Sequence, residues 1–233
     1  MIHLITSFYN TPFIERNNEL VMTLIKNIRS KYIEKIHLFI ESDFSEIFVK
    51  KLVKEMNKEE KLKIIKVDTQ PLYSDFFEYA NKLHNKVCMI SNSDIRIFSI
   101  RNVKLIQNLN RDIIYALTRH EADLSDRRIK DYGFSHDCFI FRSPLDKLDL
   151  NKLKVKQNVW GSESLILQEF KKKDYIARNP CKHIIIIHEH QSDIREKNRK
   201  CWTGAGLSDI YSCKPIPLNT RINDIYQKKS WNL

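Results

Sequence analysis

Glycine is scarce in this chain, with four among 233 residues. That leaves no Gly-rich loop to cradle phosphates, and it counts against a dinucleotide-binding Rossmann enzyme or a P-loop enzyme. Cysteine is sparse too: the five are an odd number with no C-x-x-C pair. A disulfide scaffold or a zinc ribbon is therefore not expected, and Cys88, Cys138 and Cys181, in or beside predicted strands, read as reduced core residues. Long apolar runs are also missing, and Ile184 to Ile187 is far too short to span a bilayer. Met1 leads almost directly into Ile2-His-Leu-Ile5, without a basic region and a cleavable apolar stretch, so a cytoplasmic location is expected. There is no internal repeat and no low-complexity segment.

What is present is globular. A 42% apolar and 30% charged composition excludes a largely disordered protein, and the length suits one good core. The net charge of +11 suits a nucleic acid, an anionic membrane surface or a nucleoside diphosphate. Its lysines are spread over helix faces, such as Lys50, Lys51, Lys54 and Lys171 to Lys173, which reads mostly as solvated surface.

Strands are expected at Ile2–Ile5, Ile36–Ile40, Leu62–Val67, in the run leading to Asp94, and at Ile113–Leu117, Cys138–Phe141 and Ile184–Ile187. Helices are expected at Glu15–Tyr32, from Asp43 to Met56 with Asp43 and Glu46 as its starting box, at Asp75–Leu83 with Glu78 three residues on, and at Ser162–Lys172 after Trp160-Gly161. The alternation predicts an α/β fold, a mainly parallel central sheet with helices on both faces. Past Glu196 the pattern weakens. Residues 1–196 read as the domain and 197–233, with Trp202, Gly204, Gly206 and Trp231, as an irregular tail packed on it.

The chemistry gathers at two strand ends. Val87-Cys-Met-Ile-Ser-Asn-Ser-Asp94 and Ile184-Ile-Ile-Ile-His-Glu-His190 are apolar runs that stop in residues able to hold a divalent cation. Ligands in open α/β sheets sit outside the carboxyl ends of strands, so both runs read as doubly buried strands whose ends build one site. Asp94, His188 and His190 would bind the metal, Mn²⁺ or Mg²⁺, with positions left for phosphate oxygens. His188 and His190 share a face of the strand and Glu189 points away. His188, first after the isoleucines, is the expected stronger ligand. Asp94, placed for a ligand rather than for packing, should be replaceable by alanine without loss of the fold. Asp137, before a strand, and Glu163, in the first turn of a helix, are candidate bases for a sugar hydroxyl. Thr6, Ser7, Phe8 and Tyr9 end the first strand, where Phe8 or Tyr9 could stack on a base.

These pieces resemble a small GT-A fold nucleotide-sugar glycosyltransferase, of the kind found in large DNA viruses and microbial polysaccharide clusters. The resemblance covers residues 1 to about 196. It rests on the order of Thr6-Ser-Phe-Tyr9, Phe76-Phe-Glu-Tyr-Ala-Asn81, Asn92-Ser-Asp94, Ala116-Leu-Thr-Arg119, Ser135-His-Asp137, Gly161-Ser-Glu163, Asn179-Pro-Cys181 and His188-x-His190-x-Ser192-x-x-Arg195. It implies a hexosyl- or deoxyhexosyltransferase that moves a sugar from a nucleoside-diphosphate sugar, with uracil as the expected base, to a saccharide acceptor, in the host cytoplasm if the source is viral. Thr6 to Tyr9 with Glu41 or Asp43 would hold the nucleoside, and Arg119 or Arg195 would approach the donor. Asp137 and Glu163 would face the sugars. Asn92 stands where many relatives carry a first aspartate. The alternatives are a metal-dependent phosphoesterase or nuclease, and a basic nucleic-acid-binding module.

Overall fold

A computed structural model describes residues 1–124, 135–157, 159, 161–192, 194 and 212–226. Seven strands form the central sheet: β1 (Ile2–Phe8), β2 (Ile33–Ile40), β3 (Leu62–Lys66), β4 (Val87–Ser91), β6 (Ile113–Leu117), β8 (Cys138–Arg142) and β9 (Ile176–Arg178). Their spatial order is β3-β2-β1-β4-β8-β6-β9. All pair in parallel except β8, which runs antiparallel to both β4 and β6.

The strand sequences explain this burial. Successive side chains point to opposite faces, so a continuous apolar run serves two cores. In β4, Val87 and Met89 enter one core while Cys88 and Ile90 enter the other; Ile113, Tyr115 and Leu117 of β6 oppose Ile114 and Ala116 in the same way. The first core is closed by α1 (Ile14–Arg29) through Leu20, Leu24 and Ile28, and by α2 (Asp43–Glu55) through Val49 and Val53. The second is closed by α3 (Tyr73–Asn81), through Phe76 and Phe77, and by the helix Ser162–Lys172, through Ile166 and Phe170. Helices therefore cover both faces, as the alternation predicts.

Several local expectations need correction. The run at Ile184 is not in the central sheet. As β10 (Ile184–His188) it is the middle of a separate three-stranded sheet, between β5 (Ile95–Ile100), a strand not foreseen, and β7 (His120–Glu121). Ile184, Ile186 and Ile187 are buried nonetheless, with Ile185 half-buried, because Ile184 and Ile186 join the first core and α1 lies across β5. Asn27 of α1 donates to the Ile95 carbonyl at 3.0 Å and accepts from the Ile97 amide at 3.3 Å, satisfying that strand. Helix α1 stops at Arg29, short of Tyr32. Helix α2 is capped by Ser42, whose hydroxyl accepts from the Ser45 amide at 3.1 Å, rather than by Asp43. Helix α3 begins at Tyr73; Asp75 reaches back to the Leu72 amide at 2.8 Å, while Glu78 pairs with Lys82 on the exposed side.

Residues 212–226 are the described part of the 197–233 segment. Ile216, Ile225 and Tyr226 enter the first core, and Arg178 donates to the Ile225 carbonyl at 2.7 Å. Trp202, Gly204, Gly206 and Trp231 lie outside the described residues, as do Trp160 and Arg195. No helix among the described residues is long and apolar enough to cross a membrane.

Candidate metal and donor site

The parallel strands β1, β4 and β6 deliver their carboxyl ends to one edge of the sheet. Because β8 is antiparallel, its beginning arrives at that same edge: Cys138 is paired with both Ser91 and Leu117. Asp137, just before β8, is thereby set beside Asn92, whose side chain donates to it at 3.4 Å. The second sheet brings in the histidines. His188 of β10 is registered against Ile95 of β5, one residue past Asp94, and against Glu121 of β7.

Asp94, His188 and His190 consequently converge, with one ligand atom from each lying within 4.8 Å of the others. His188 Nε2 is 3.2 Å and His190 Nδ1 3.8 Å from Asp94 Oδ2. Neighbouring ligands around a cation at about 2.1 Å stand roughly 3 Å apart in octahedral geometry, so the spacing fits a cation with little movement. The donor set fits as well: among the described residues, Asp94 Oδ1 and His190 Nε2 are buried without a hydrogen-bond partner. Buried polar atoms are ordinarily satisfied, and two orphans in one cluster mark a place made for something else. Glu189 points away, as expected, and pairs with Lys26 at 2.8 Å and with Arg96.

The charges around the triad set its protonation. Burial alone would raise the Asp94 carboxyl, but the His188 hydrogen bond and charge, with the charge of Arg16, hold it far below the usual carboxylate range. Burial likewise opposes the imidazolium of His188, yet Asp94 and Glu121 bring it up to about 8. His190 is lowered, first by burial and then by the positive charge of Arg16.

Arg16 and Glu19 were not legible as site residues. On α1, Arg16 is 9% exposed and donates to Asp94 Oδ2 at 2.6 Å and to Glu19 Oε2 at 3.0 Å. Glu19 also accepts from the amides of Gln191 and Ser192, each at 2.7 Å, fastening the chain beyond the histidines. The signal in sequence was slight: an arginine followed three residues later by a glutamate is ordinary on a solvated helix face. The pair also overturns the expectation that Asp94 is free of structural work, since its removal would strand a buried guanidinium.

On the other flank, Arg119 donates to Asp137 Oδ1 at 2.8 Å, and the Ser135 hydroxyl donates to Oδ2. Both Asp137 oxygens are thus engaged. Glu163 differs. Desolvation first, and then the charge of Asp137, push its carboxyl up to about 8. Gly161 sets up the turn into this helix with φ of 89°, a conformation that a side chain would strain.

At the end of β1, Thr6 donates to the Ser91 carbonyl at 2.9 Å and the Ser7 hydroxyl lies 3.0 Å from that of Ser93. These contacts clasp β1 to the loop that leads to Asp94. Phe8 is 4% exposed and packed on Phe48, so it is unavailable for stacking; Tyr9, 39% exposed, is the aromatic that faces outward. Glu41 and Asp43 are exposed at the neighbouring end of β2, with Asp43 paired to Lys66.

No protein-family model and no curated protein matches the chain. Solved structures do. The mannosyltransferase PcManGT from Pyrobaculum calidifontis, in complex with GDP-Man and Mn²⁺, superposes with a TM-score of 0.53 at 11% identity over 82% of this chain. GalNAc-T7 with UDP, GalNAc and Mn²⁺ gives 0.48 at 11% identity over 81%, and S. aureus TarS 1-349 with UDP-GlcNAc gives 0.46 at 16% over 85%. The chain spans 57%, 42% and 60% of those proteins' lengths. The first of these shares the architecture of this chain, which has the GT-A type fold of nucleotide-sugar glycosyltransferases.

Proposed function

We propose that this protein is a glycosyltransferase that moves a sugar from a nucleoside-diphosphate sugar to a saccharide hydroxyl. The observation that carries the reading is the convergence of Asp94, His188 and His190, with two orphaned polar atoms, at the same sheet edge as the raised carboxyl of Glu163. Asp94, His188 and His190 would hold Mn²⁺ or Mg²⁺, which when bound supplies Lewis-acid neutralisation of a leaving diphosphate.

The rest is assigned to the chain's own residues. Glu163, as carboxylate, accepts the proton of the attacking hydroxyl while the bond between the anomeric carbon and the diphosphate breaks. Glu163 suits this better than Asp137, whose oxygens are committed to Arg119 and Ser135. Asp137 instead holds Arg119 beside the donor, and Arg195 remains a proposed second cation. Tyr9 stacks on the base, Glu41 or Asp43 holds the nucleoside, and Thr6, Ser7 and Phe8 shape the loop that carries Tyr9. Uracil is favoured by the family resemblance. The domain would be residues 1–196, with 197–233 packed against it.

The phosphoesterase reading has less support. Among the described residues one three-ligand group converges, which suits a single cation rather than a two-metal centre. The test is thermal stability with UDP or GDP, each with and without Mn²⁺, followed by release of nucleoside diphosphate from the corresponding donor. Metal-dependent stabilisation by a diphosphate is expected. Hydrolysis of a generic phosphodiester, without any stabilisation by nucleotide, would overturn the proposal.

A further inference from the structure

The guanidinium of Arg16 stands on the same carboxylate oxygen that both histidines face. It lies 2.6 Å from Asp94 Oδ2, against 3.2 Å for His188 Nε2 and 3.8 Å for His190 Nδ1. Arg16 cannot easily turn away, because its other terminal nitrogen is held by Glu19 at 3.0 Å, and Glu19 is itself fixed by Gln191 and Ser192. A plain structural ion pair would leave the cluster satisfied. Here Asp94 Oδ1 and His190 Nε2 remain orphaned, so the pair neutralises the carboxylate without using up its ligand capacity.

From this geometry we propose that Arg16 makes cation binding at Asp94 conditional on a nucleoside diphosphate. The inference rests on the donor-site reading above. A bare divalent cation would enter beside a fixed positive charge in a water-poor place, where like charges repel strongly. A diphosphate brings its own negative charge to the cation and restores the balance. Cation and nucleotide then each bind more tightly in the presence of the other, by the same factor. Arg16 is a positioning residue in this scheme. Its effect is to keep the site from taking up free metal and to reserve it for the metal–nucleotide pair.

The experiment is Mn²⁺ titration followed by the electron paramagnetic resonance of the free ion, with and without UDP or GDP. It is run on the wild type and on Arg16→Gln, Arg16→Lys and Glu19→Gln, each checked for folding by circular dichroism. The expected wild-type result is weak binding of Mn²⁺ alone and binding roughly 100-fold tighter with the diphosphate, within the usual range of coupling between sites. Arg16→Gln should bind bare Mn²⁺ about 10-fold more tightly and so reduce the coupling to about 10-fold, half of its free energy. Arg16→Lys, which keeps the charge, should retain it. Glu19→Gln leaves Arg16 less compensated and should weaken bare-cation binding, a change opposite in sign that keeps the inference testable if Arg16→Gln does not fold. Wild-type binding of Mn²⁺ with no change in bare-cation affinity in any folded variant overturns the role of Arg16 alone. Failure of the wild type to bind Mn²⁺ even with either nucleotide removes the metal site, and this inference with it.

Discussion

Two histidine pairs with neighbouring rings lie among the described residues, and one member of the second pair, His188, shifts in the direction opposite to the first pair. His3 of β1 and His37 of β2 stack with ring centres 5.2 Å apart; His37 also meets the Tyr79 hydroxyl at 2.9 Å. Burial is the main influence there. It lowers both imidazoles, His37 to about 3, and the one carboxylate in reach of His3, Glu34 at 3.5 Å, is half exposed and too weak to reverse it. His188 and His190 have ring centres at 5.3 Å, nearly the same separation. Yet His188 is raised to about 8, because a buried carboxylate, Asp94, lies 3.2 Å away and Glu121 3.6 Å away. Paired imidazoles alone therefore make a neutral packing element. It is the buried acid, with a lone pair left over, that distinguishes the pair proposed to hold a cation.

The largest effect should come from breaking that acid. Asp94→Ala should lower stability by about 3–5 kcal/mol, because Arg16 is left buried without its partner, and should abolish cation binding. Urea unfolding and Mn²⁺ titration check both. A variant as stable as the wild type would mean that Arg16 finds another partner and that the ion pair is not structural.

Next in size is the role of Glu163. Glu163→Gln should reduce turnover by about 10²–10⁴-fold, the range of general base catalysis, with the donor still bound. In the wild type, kcat/KM should rise with pH towards about 8, as the raised carboxyl loses its proton. The stability contribution runs the other way. A carboxyl with a folded value above its unfolded one favours the native state fully below about 4.5, and loses that contribution as pH rises through about 8. Stability curves that coincide for wild type and Glu163→Gln across this window would exclude the shift.

The two site histidines offer a finer comparison. His188→Ala should weaken Mn²⁺ binding in the presence of nucleotide more than His190→Ala, by about 10-fold, since His188 lies nearer to Asp94 and also contacts Glu121. The reverse order would make His190 the principal ligand. The smallest effect is expected from the other pair. His37→Phe should cost about 1–2 kcal/mol through the lost hydrogen bonds to His3 and Tyr79, and leave cation binding unchanged. A histidine with a depressed value stabilises the fold fully above about 6.5 and loses that contribution as pH falls towards about 3, so the variant should be less sensitive to acid.

Much of the architecture could be read from periodicity, because strands buried on both faces need unbroken apolar runs. Ile113–Leu117 and Ser162–Lys172 occur where patterning places them. The strand Ile95–Ile100 was not legible: Arg96 and Ser99 interrupt its apolar residues, and its order depends on Asn27 and β10. At the site, Asp94, His188 and His190 could be named from their abrupt ending of apolar runs. Phe8 could not be told from Tyr9, since exposure of adjacent aromatics at a strand end depends on whether a helix, here α2 with Phe48, covers one of them.

The sequence by itself determined which segments are apolar runs and which of them lead into acids and imidazoles, for these follow from side-chain chemistry along one strand. Tertiary structure alone decided that β8 runs antiparallel and returns Asp137 to the working edge, and that β10 leaves the main sheet to set His188 beside Asp94. It alone decided, too, that Arg16 reaches Asp94 across 78 residues of chain. The physical reason is that periodicity reports burial, which is local, whereas a site is built from charges whose partners are chosen by packing between elements far apart in the chain.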